Sequence, residues 1–321
     1  MKRSRRRFLQ LAASAALLPA MPRIARAQRY PSRPVRLIVG FAAGNAPDII
    51  ARLTGEWLSQ RLGQQVVVEN RVGAASDLAV QAVIKAPADG HTLLQITPAN
   101  AINTNLSGGA NFIRDIAPVA SIARGSFVVM VEPSFPAKTL PDLINYARAN
   151  PDKVNLGTPG TGSAPYLSAV LFKMMTGLDM LHVPYRGTSH AVTELLGGRV
   201  QLVIADMSAI EFIKSGKIRA LAVTTATPQD ILPGVPAVGQ FVPGYEASTW
   251  YGIGAPRDTP SEIVATLNKE INAGLADPKV KARLASLGCT VDASSPAAFG
   301  KHIAAETEKW AKVTKFAGTP R

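Results

Sequence analysis

The stretch Gly157-Thr158-Pro159-Gly160-Thr161-Gly162-Ser163 concentrates residue types that can hold an anion without a metal. Its glycines free the backbone to turn tightly and bare its N–H groups. A helical pattern opens directly behind it, from Ala164 to about Met175. The first turn of a helix carries unpaired N–H groups and a partial positive charge. Thr158, Thr161 and Ser163 can add hydroxyl donors, so the stretch reads as an anion socket. It has neither the G-x-G-x-x-G of dinucleotide sites nor the lysine of a P-loop. The competing reading is an ordinary glycine-rich connection between a strand and a helix.

Other chemistry is sparse. No G-x-S-x-G elbow marks a hydrolase, and His91, His182, His190 and His302 form no H-E-x-x-H or other metal spacing. Within a strand pattern His182 reads as core filler, and His190 stands at a helix start. Cys289 is the single cysteine, so it has no intramolecular disulfide partner and reads as a small buried residue rather than a nucleophile. Asp206, at a strand end, is either a general base or a group that contacts ligand or fixes a loop. No cofactor or metal is expected. An exported hydrolase or isomerase working through Asp206, His182 or Ser163 is the rival to a pure binding protein.

The elements that must position these residues alternate. Arg36 to Val39 is an uninterrupted apolar run, as in a buried parallel strand. The turn Phe41-Ala42-Ala43-Gly44-Asn45-Ala46-Pro47-Asp48 leads into a helix ending at Leu62 before Gly63. A strand from Val66 to Asn70, a helix from Asp77 to Ala86 and a strand from Thr92 to Ile96 follow. This is the start of a doubly wound sheet, which binds ligands at the carboxyl ends of its strands. Both Phe41 to Asp48 and Thr97-Pro98-Ala99-Asn100 stand at such ends. Asp48 reads either as a helix N-cap or as a residue shaping the ligand loop. Two apolar runs, Ala117 to Ala123 and Phe127 to Val131, precede a second alternation. It has a helix from Leu140 to Asn150, strands from Val154 to Leu156 and from Leu181 to Pro184, a helix from Ala191 to Leu196, and strands from Gln201 to Ala205 and from Ile218 to Thr224. Trp250 to Gly254 reads as a strand, and helices from Ser261 to Leu275, Pro278 to Leu287 and Pro296 to Lys315 end the chain.

The N-terminus reads as an address. A basic head of Lys2, Arg3, Arg5, Arg6 and Arg7 precedes the apolar run Phe8 to Met21, and Ala25-Arg26-Ala27 offers a cleavage site. Ser4-Arg5-Arg6-Arg7-Phe8-Leu9 resembles the twin-arginine export signal, with an arginine-rich Sec signal as the alternative. Residues 1–27 hold seven Lys or Arg and no acidic residue. Removing them leaves 28 basic against 22 acidic residues, a formal charge of +6 instead of +13. The remaining basic residues form no stripe, so nucleic acid is not an expected partner.

Taken together in order, several motifs resemble the substrate-binding receptors of tripartite tricarboxylate transporters, the Bug or TctC-like family. They are Tyr30-Pro31-Ser32-Arg33-Pro34-Val35-Arg36-Leu37-Ile38-Val39, Arg61-Leu62-Gly63-Gln64-Gln65-Val66-Val67-Val68-Glu69-Asn70-Arg71 and Lys85-Ala86-Pro87-Ala88-Asp89-Gly90-His91-Thr92-Leu93-Leu94. Val183-Pro184-Tyr185-Arg186-Gly187 with Glu194-Leu195-Leu196-Gly197-Gly198, Pro243-Gly244-Tyr245-Glu246, Trp250-Tyr251-Gly252 and Ala255-Pro256 complete the set. The resemblance implies an α/β, type II periplasmic-binding-protein fold: two doubly wound lobes, a hinge and a ligand cleft between them. Residues 28–124 and 250–321 would form the first lobe and 125–249 the second, hinged near Ile122 to Ser126 and Glu246 to Tyr251. It further implies a periplasmic, monomeric receptor that captures a small carboxylate for the large and small membrane subunits of the transporter. A receptor serving a sensor kinase is the alternative within the same fold. Phe41, Ala42, Ala43, Asn45, Asp48, Thr97, Pro98 and Ala99 would face the ligand from the first lobe. Thr158, Gly160, Thr161, Gly162, Ser163, Tyr185 and Asp206 would face it from the second, with packing the other reading for Tyr185. The chain departs from the family at Asn45, where a second glycine is usual, at Val72-Gly73-Ala74-Ala75-Ser76, where Pro-Gly-Ala-Gly-Gly is usual, and at Tyr166, often a histidine. Dicarboxylates, citrate-like tricarboxylates, amino acids and aromatic carboxylates all stay open as ligands.

Overall fold

The computed structural model describes residues 30–73, 76–104, 112–160, 163–185 and 187–318; the expected export signal, residues 1–27, lies outside them. The first half of the chain is β1 (Val35–Val39), α1 (Ala46–Leu62), β2 (Val66–Asn70), α2 (Asp77–Ile84), β3 (Thr92–Ile96), α3 (Pro98–Asn103), α4 (Phe112–Asp115) and β4 (Ile116–Val131). The chain continues through α5 (Leu140–Ala149), β5 (Leu156–Thr158), α6 (Ala164–Thr176), β6 (His182–Pro184), α7 (Thr188–Leu196), β7 (Leu202–Asp206), α8 (Ile210–Lys214) and β8 (Arg219–Val223). It ends with β9 (Ser248–Pro256), α9 (Ser261–Leu275), α10 (Pro278–Ser286), β10 (Cys289–Val291) and α11 (Pro296–Ala317).

The strands form one curled mixed sheet in the order β2-β1-β3-β9-β4-β7-β5-β6, with β8 and β10 also paired to β4. Strand β1 is parallel to β2 and β3, and β5 is parallel to β6 and β7. Between these sets β9 runs antiparallel to β3 and β4, and β4 antiparallel to β7. Three reversals in succession turn the two parallel sets against each other.

Strand β4 joins the halves. The apolar runs expected at Ala117 to Ala123 and Phe127 to Val131 are one 16-residue strand. Its residues 116–126 pair with β9, and Phe127 to Val131 pair with β7. Gly125 does not break the strand, because it is where neighbours crowd: a Cβ there would lie 2.9 Å from Thr249 Cγ2 and 3.2 Å from Cys289 Sγ. The expected lobe boundaries, between 124 and 125 and between 249 and 250, both fall inside strands: β4, which pairs in both halves, and β9, by which the chain re-enters the first.

Two apolar clusters sit on the faces of the first half. Val35, Leu37, Val39, Ile50, Leu58 and Leu93 form one with α1 and α9, and Ile38, Val80, Leu94, Ile96, Trp250 and Phe299 form the other. The second half has its own pair, around Phe127, Leu156, Leu167 and Phe172 on one face and Val128, Ala191, Val203 and Ala205 on the other. Helix α11 is rooted in both halves: Phe299 and Ile303 belong to a first-half cluster, Trp310 and Val313 to a second-half cluster.

Periodicity placed most elements within a residue or two. Strand β5 lies two residues beyond its expected place, because Gly157 is a strand residue and not the start of a turn. A Cβ on it would meet Val203 Cγ2 at 3.1 Å, and Tyr185 Cε2 and Val200 Cγ2 at 3.2 Å. Short elements were missed: α3, α4, α8 and β10 are six residues or fewer. Among the described residues no helix is long and apolar enough to cross a membrane.

Candidate functional site

The carboxyl ends of β1 and β3 carry one polar assembly. Asn45, not Asp48, is the N-cap of α1: its Oδ1 accepts the Asp48 N–H at 3.3 Å. Asp48 stands three positions further on and braces the preceding loop. Its Oδ2 accepts the Gly44 N–H and Arg52 Nε, both at 2.9 Å, and its Oδ1 accepts Asn70 Nδ2 at 2.8 Å. Asn70 Nδ2 also donates to the Phe41 carbonyl at 2.9 Å, so the turn from Phe41 to Asp48 is stapled at both ends. Asp48 is 2% exposed. Burial alone would raise its pKa, but the hydrogen bonds from Arg52, Gly44 and Asn70 outweigh that and hold it below the ordinary carboxylate value. Phe41 packs beside the first-half core, while Ala42 and Ala43 are exposed at the tip of the loop.

At the end of β3, the Thr97 N–H donates to Asn100 Oδ1 at 2.8 Å and Asn100 Nδ2 donates to Ser76 Oγ at 3.1 Å. Ser76 has φ 82°, the only positive φ outside glycine among the described residues, and it is fully buried. A Cβ on Gly40 would fall 1.9 Å from Ser76 Oγ, so the residue that follows β1 must be glycine for this serine to fit. Thr97 and Pro98 are buried, and of the expected trio Ala99 keeps the most surface. Asn70, Ser76 and Gly40 are the members that sequence reasoning missed, while Asn100 stood in the expected strand-end stretch. The departure from the family's usual glycines at Ala75-Ser76 was the available signal for one of them.

The second assembly lies at the ends of β5, β6 and β7. Thr158 is fully buried, its Oγ1 lies 2.5 Å from His182 Nε2, and its carbonyl accepts the Tyr185 N–H at 2.9 Å. The Thr158 hydroxyl is thus buried against the His182 ring. Gly160 follows with φ 125°, and a Cβ there would lie 3.4 Å from the Tyr185 carbonyl. Ser163 donates from Oγ to the Gly160 carbonyl at 2.7 Å and accepts the Tyr166 N–H at 3.3 Å, so it caps α6. Thr161 and Gly162 lie outside the described residues. The mouth of α6 has no acidic residue in its first turn. The mouth of α7 differs: Asp206 Oδ2 accepts the Thr188 hydroxyl at 3.0 Å, and its Oδ1 accepts the Ser208 N–H at 3.0 Å. That mouth already has a carboxylate against it, so an incoming anion is better received at α6.

Tyr185 ties this assembly together, with its ring against Gly157 and its carbonyl against Gly160. His182 is packed under the Tyr166 ring, centroids 4.6 Å apart, and burial followed by the nearby Lys173 pushes its pKa down to about 4. It is a neutral imidazole near neutral pH. Ser163, His182 and Asp206 thus have separate partners and are not lined up as nucleophile, base and orienting acid. Burial, and then Asp206, pushes the Cys289 thiol up to about 12, far from a reactive thiolate. No group of three or more metal-ligating side chains occurs among the described residues.

Strand register sets the two assemblies facing one another. Ile96 stands opposite Gly252, and Gly252 opposite Ser121 on β4; Asp206 stands opposite Phe127 on the same strand. The first-half strands point toward Phe127 and the second-half strands back toward Ser121. Six residues of β4 separate those levels, about 20 Å of extended chain. Two sets of helix mouths across a gap of that size make a cleft suited to a small solute and its enclosing loops.

The model for the tripartite tricarboxylate transporter family receptor, TctC, matches residues 50–318. Protein BugT of Bordetella pertussis is 34% identical over 298 residues, covering 91% of this chain and 91% of that protein. An R. palustris protein solved with adipate superposes with a TM-score of 0.80 at 37% identity, covering 90% of this chain and 98% of the other. MatC from Rhodopseudomonas palustris, solved with bound malate, gives a TM-score of 0.76 at 29% identity, covering 88% of this chain and 99% of the other.

Proposed function

Since the chain belongs to the tripartite tricarboxylate transporter receptor family, we propose that it is a periplasmic receptor that captures a small carboxylate by closure of its two lobes. In this reading residues 1–27 direct export, and the closed form hands the solute to the large and small membrane subunits of the transporter. The observation that carries the reading is the opposition of two sets of strand ends across β4, with the unopposed mouth of α6 on one side and the stapled Phe41 to Asp48 loop on the other. The ligands of the two R. palustris proteins, adipate and malate, support a carboxylated solute.

The anion is held from the Gly160 turn and the Ala164 N–H at the mouth of α6, since Pro165 has no N–H and Ser163 takes that of Tyr166, and the first-lobe loop covers its other end. Charge-assisted hydrogen bonds contribute roughly 1.5–3 kcal/mol each. Four or five of them support about micromolar affinity after ordering costs. A thermal-shift screen of the mature protein with adipate, malate, citrate, amino acids and aromatic carboxylates tests this directly. Bound solute at 100 times its dissociation constant adds about 2.7 kcal/mol of stability. A screen in which no carboxylate raises the unfolding temperature would refute the assignment.

A further inference from the structure

The strongest polar cluster away from the cleft lies where the two halves are strapped together. Glu306, in the middle of α11, is 5% exposed. Its Oε2 accepts the indole N–H of Trp250 on β9 at 3.1 Å and that of Trp310 at 2.8 Å. Trp250 belongs to a core cluster of the first half, and Trp310 to one of the second. One carboxylate oxygen therefore holds an indole from each core. Lys309 pairs with the other oxygen, reaches Glu246 Oε2 at 3.3 Å in the segment entering β9, and lies 4.8 Å from the Trp310 ring centroid. Trp250 is also the register partner of Arg124 on β4. Two connections between the halves, β9 and α11, thus meet at one buried carboxylate, and the third, β4, pairs with β9 beside it.

A buried charge is tolerated only when its partners are in place, and removing them costs more than a surface pair returns. We propose that Glu306 is a positioning residue for solute capture: its carboxylate pins Trp250 and Trp310 together, and lobe closure is a rotation about that pin. The inference rests on the closure reading above. Without the pin, α11 slips against β9 and the ligand-free protein samples wider separations of its halves. Apparent affinity then falls in proportion to the lost closure-competent population.

The test compares wild type with Glu306→Gln, Glu306→Leu and Trp310→Phe. Glu306→Gln keeps an oxygen for both indoles, whereas Glu306→Leu leaves both N–H groups unpaired. Small-angle scattering of the ligand-free proteins is expected to give a larger radius of gyration for Glu306→Leu, with Glu306→Gln close to wild type. Calorimetric titration with adipate and malate is expected to show about a tenfold loss for Glu306→Leu, largely restored in Glu306→Gln. Intrinsic fluorescence should follow the same order, because two of the three tryptophans touch this carboxylate. Should Glu306→Leu not fold, Trp310→Phe carries the test, since it removes one N–H and keeps the packing. Wild-type radius and wild-type affinity in the variant measured would overturn the proposal and leave Glu306 a purely structural group. Failure of wild type to bind either probe would count against the carboxylate reading instead, and the ligand-free scattering would still decide the pin.

Discussion

Asp48 shows how one side chain can serve both stability and binding. It accepts three hydrogen bonds while almost fully buried, and it ties the loop after β1 to the end of β2 through Asn70. Asp48→Ala should cost about 2 kcal/mol of stability in denaturant unfolding and weaken solute binding. Asp48→Asn, which keeps an acceptor for Asn70 or Gly44, should lose less of both. Wild-type affinity in Asp48→Ala would show that the staple does not shape the cleft. His182 makes a pH prediction of definite sign. Its folded pKa is about 4 against an ordinary 6.5, so the unfolded chain takes up the proton first. Its contribution to stability is complete above pH 6.5 and is lost as pH falls from there toward 4. Unfolding temperature measured against pH should fall less steeply across that window in His182→Gln than in wild type. Identical slopes would mean that the imidazole is not held neutral by its setting. The comparison isolates His182 from His302, whose pKa is also lowered by burial and then by Arg124.

Among the elements, glycines decide what the two parallel strand sets can present. Gly157 and Gly160 stand three residues apart yet do different work: one lets Val203, Tyr185 and Val200 close over β5, and the other takes φ 125° to turn the chain toward α6. Gly160→Val should abolish carboxylate binding in calorimetry while far-ultraviolet circular dichroism stays unchanged, because the strain falls on the turn and not on the core. Gly157→Leu should instead lower the unfolding temperature, through overpacking beneath Tyr185. Much of this layer was legible in the sequence. The apolar runs of β1 and β3 and the spacing within α1, α6 and α9 mark long, periodic elements, and the helix starts at Ala164 and Pro296 stand where the sequence places them. What escaped has a physical reason in each case. Pairing with a strand more than a hundred residues away decides whether Gly125 is a break or a close approach. Whether Asn45 or Asp48 caps α1 depends on where Asn70 arrives from another strand. Likewise the contact of the Thr158 hydroxyl with His182 is made across 24 residues and leaves no mark in the local pattern.

For the whole molecule the decisive feature is that β4 runs through both halves, β9 carries the chain back into the first, and α11 straps across them. A rotation about such a junction can open and close the cleft without breaking either core, and a solute that contacts both sides shifts that equilibrium. The scattering curve of wild type should therefore contract on saturation with a bound carboxylate. Identical curves with and without a tightly bound solute would argue for a rigid cleft. The central claim is that an anionic head group is received at the Gly160 turn and the mouth of α6, with the loop from Phe41 to Asp48 over its far end. The most direct measurement is a crystal structure of the protein with the tightest carboxylate from the screen. The account predicts carboxylate oxygens within hydrogen-bonding distance of main-chain N–H groups between Gly160 and Ala164. A solute lying outside the cleft, or one whose carboxylate turns away from that helix mouth, would contradict it.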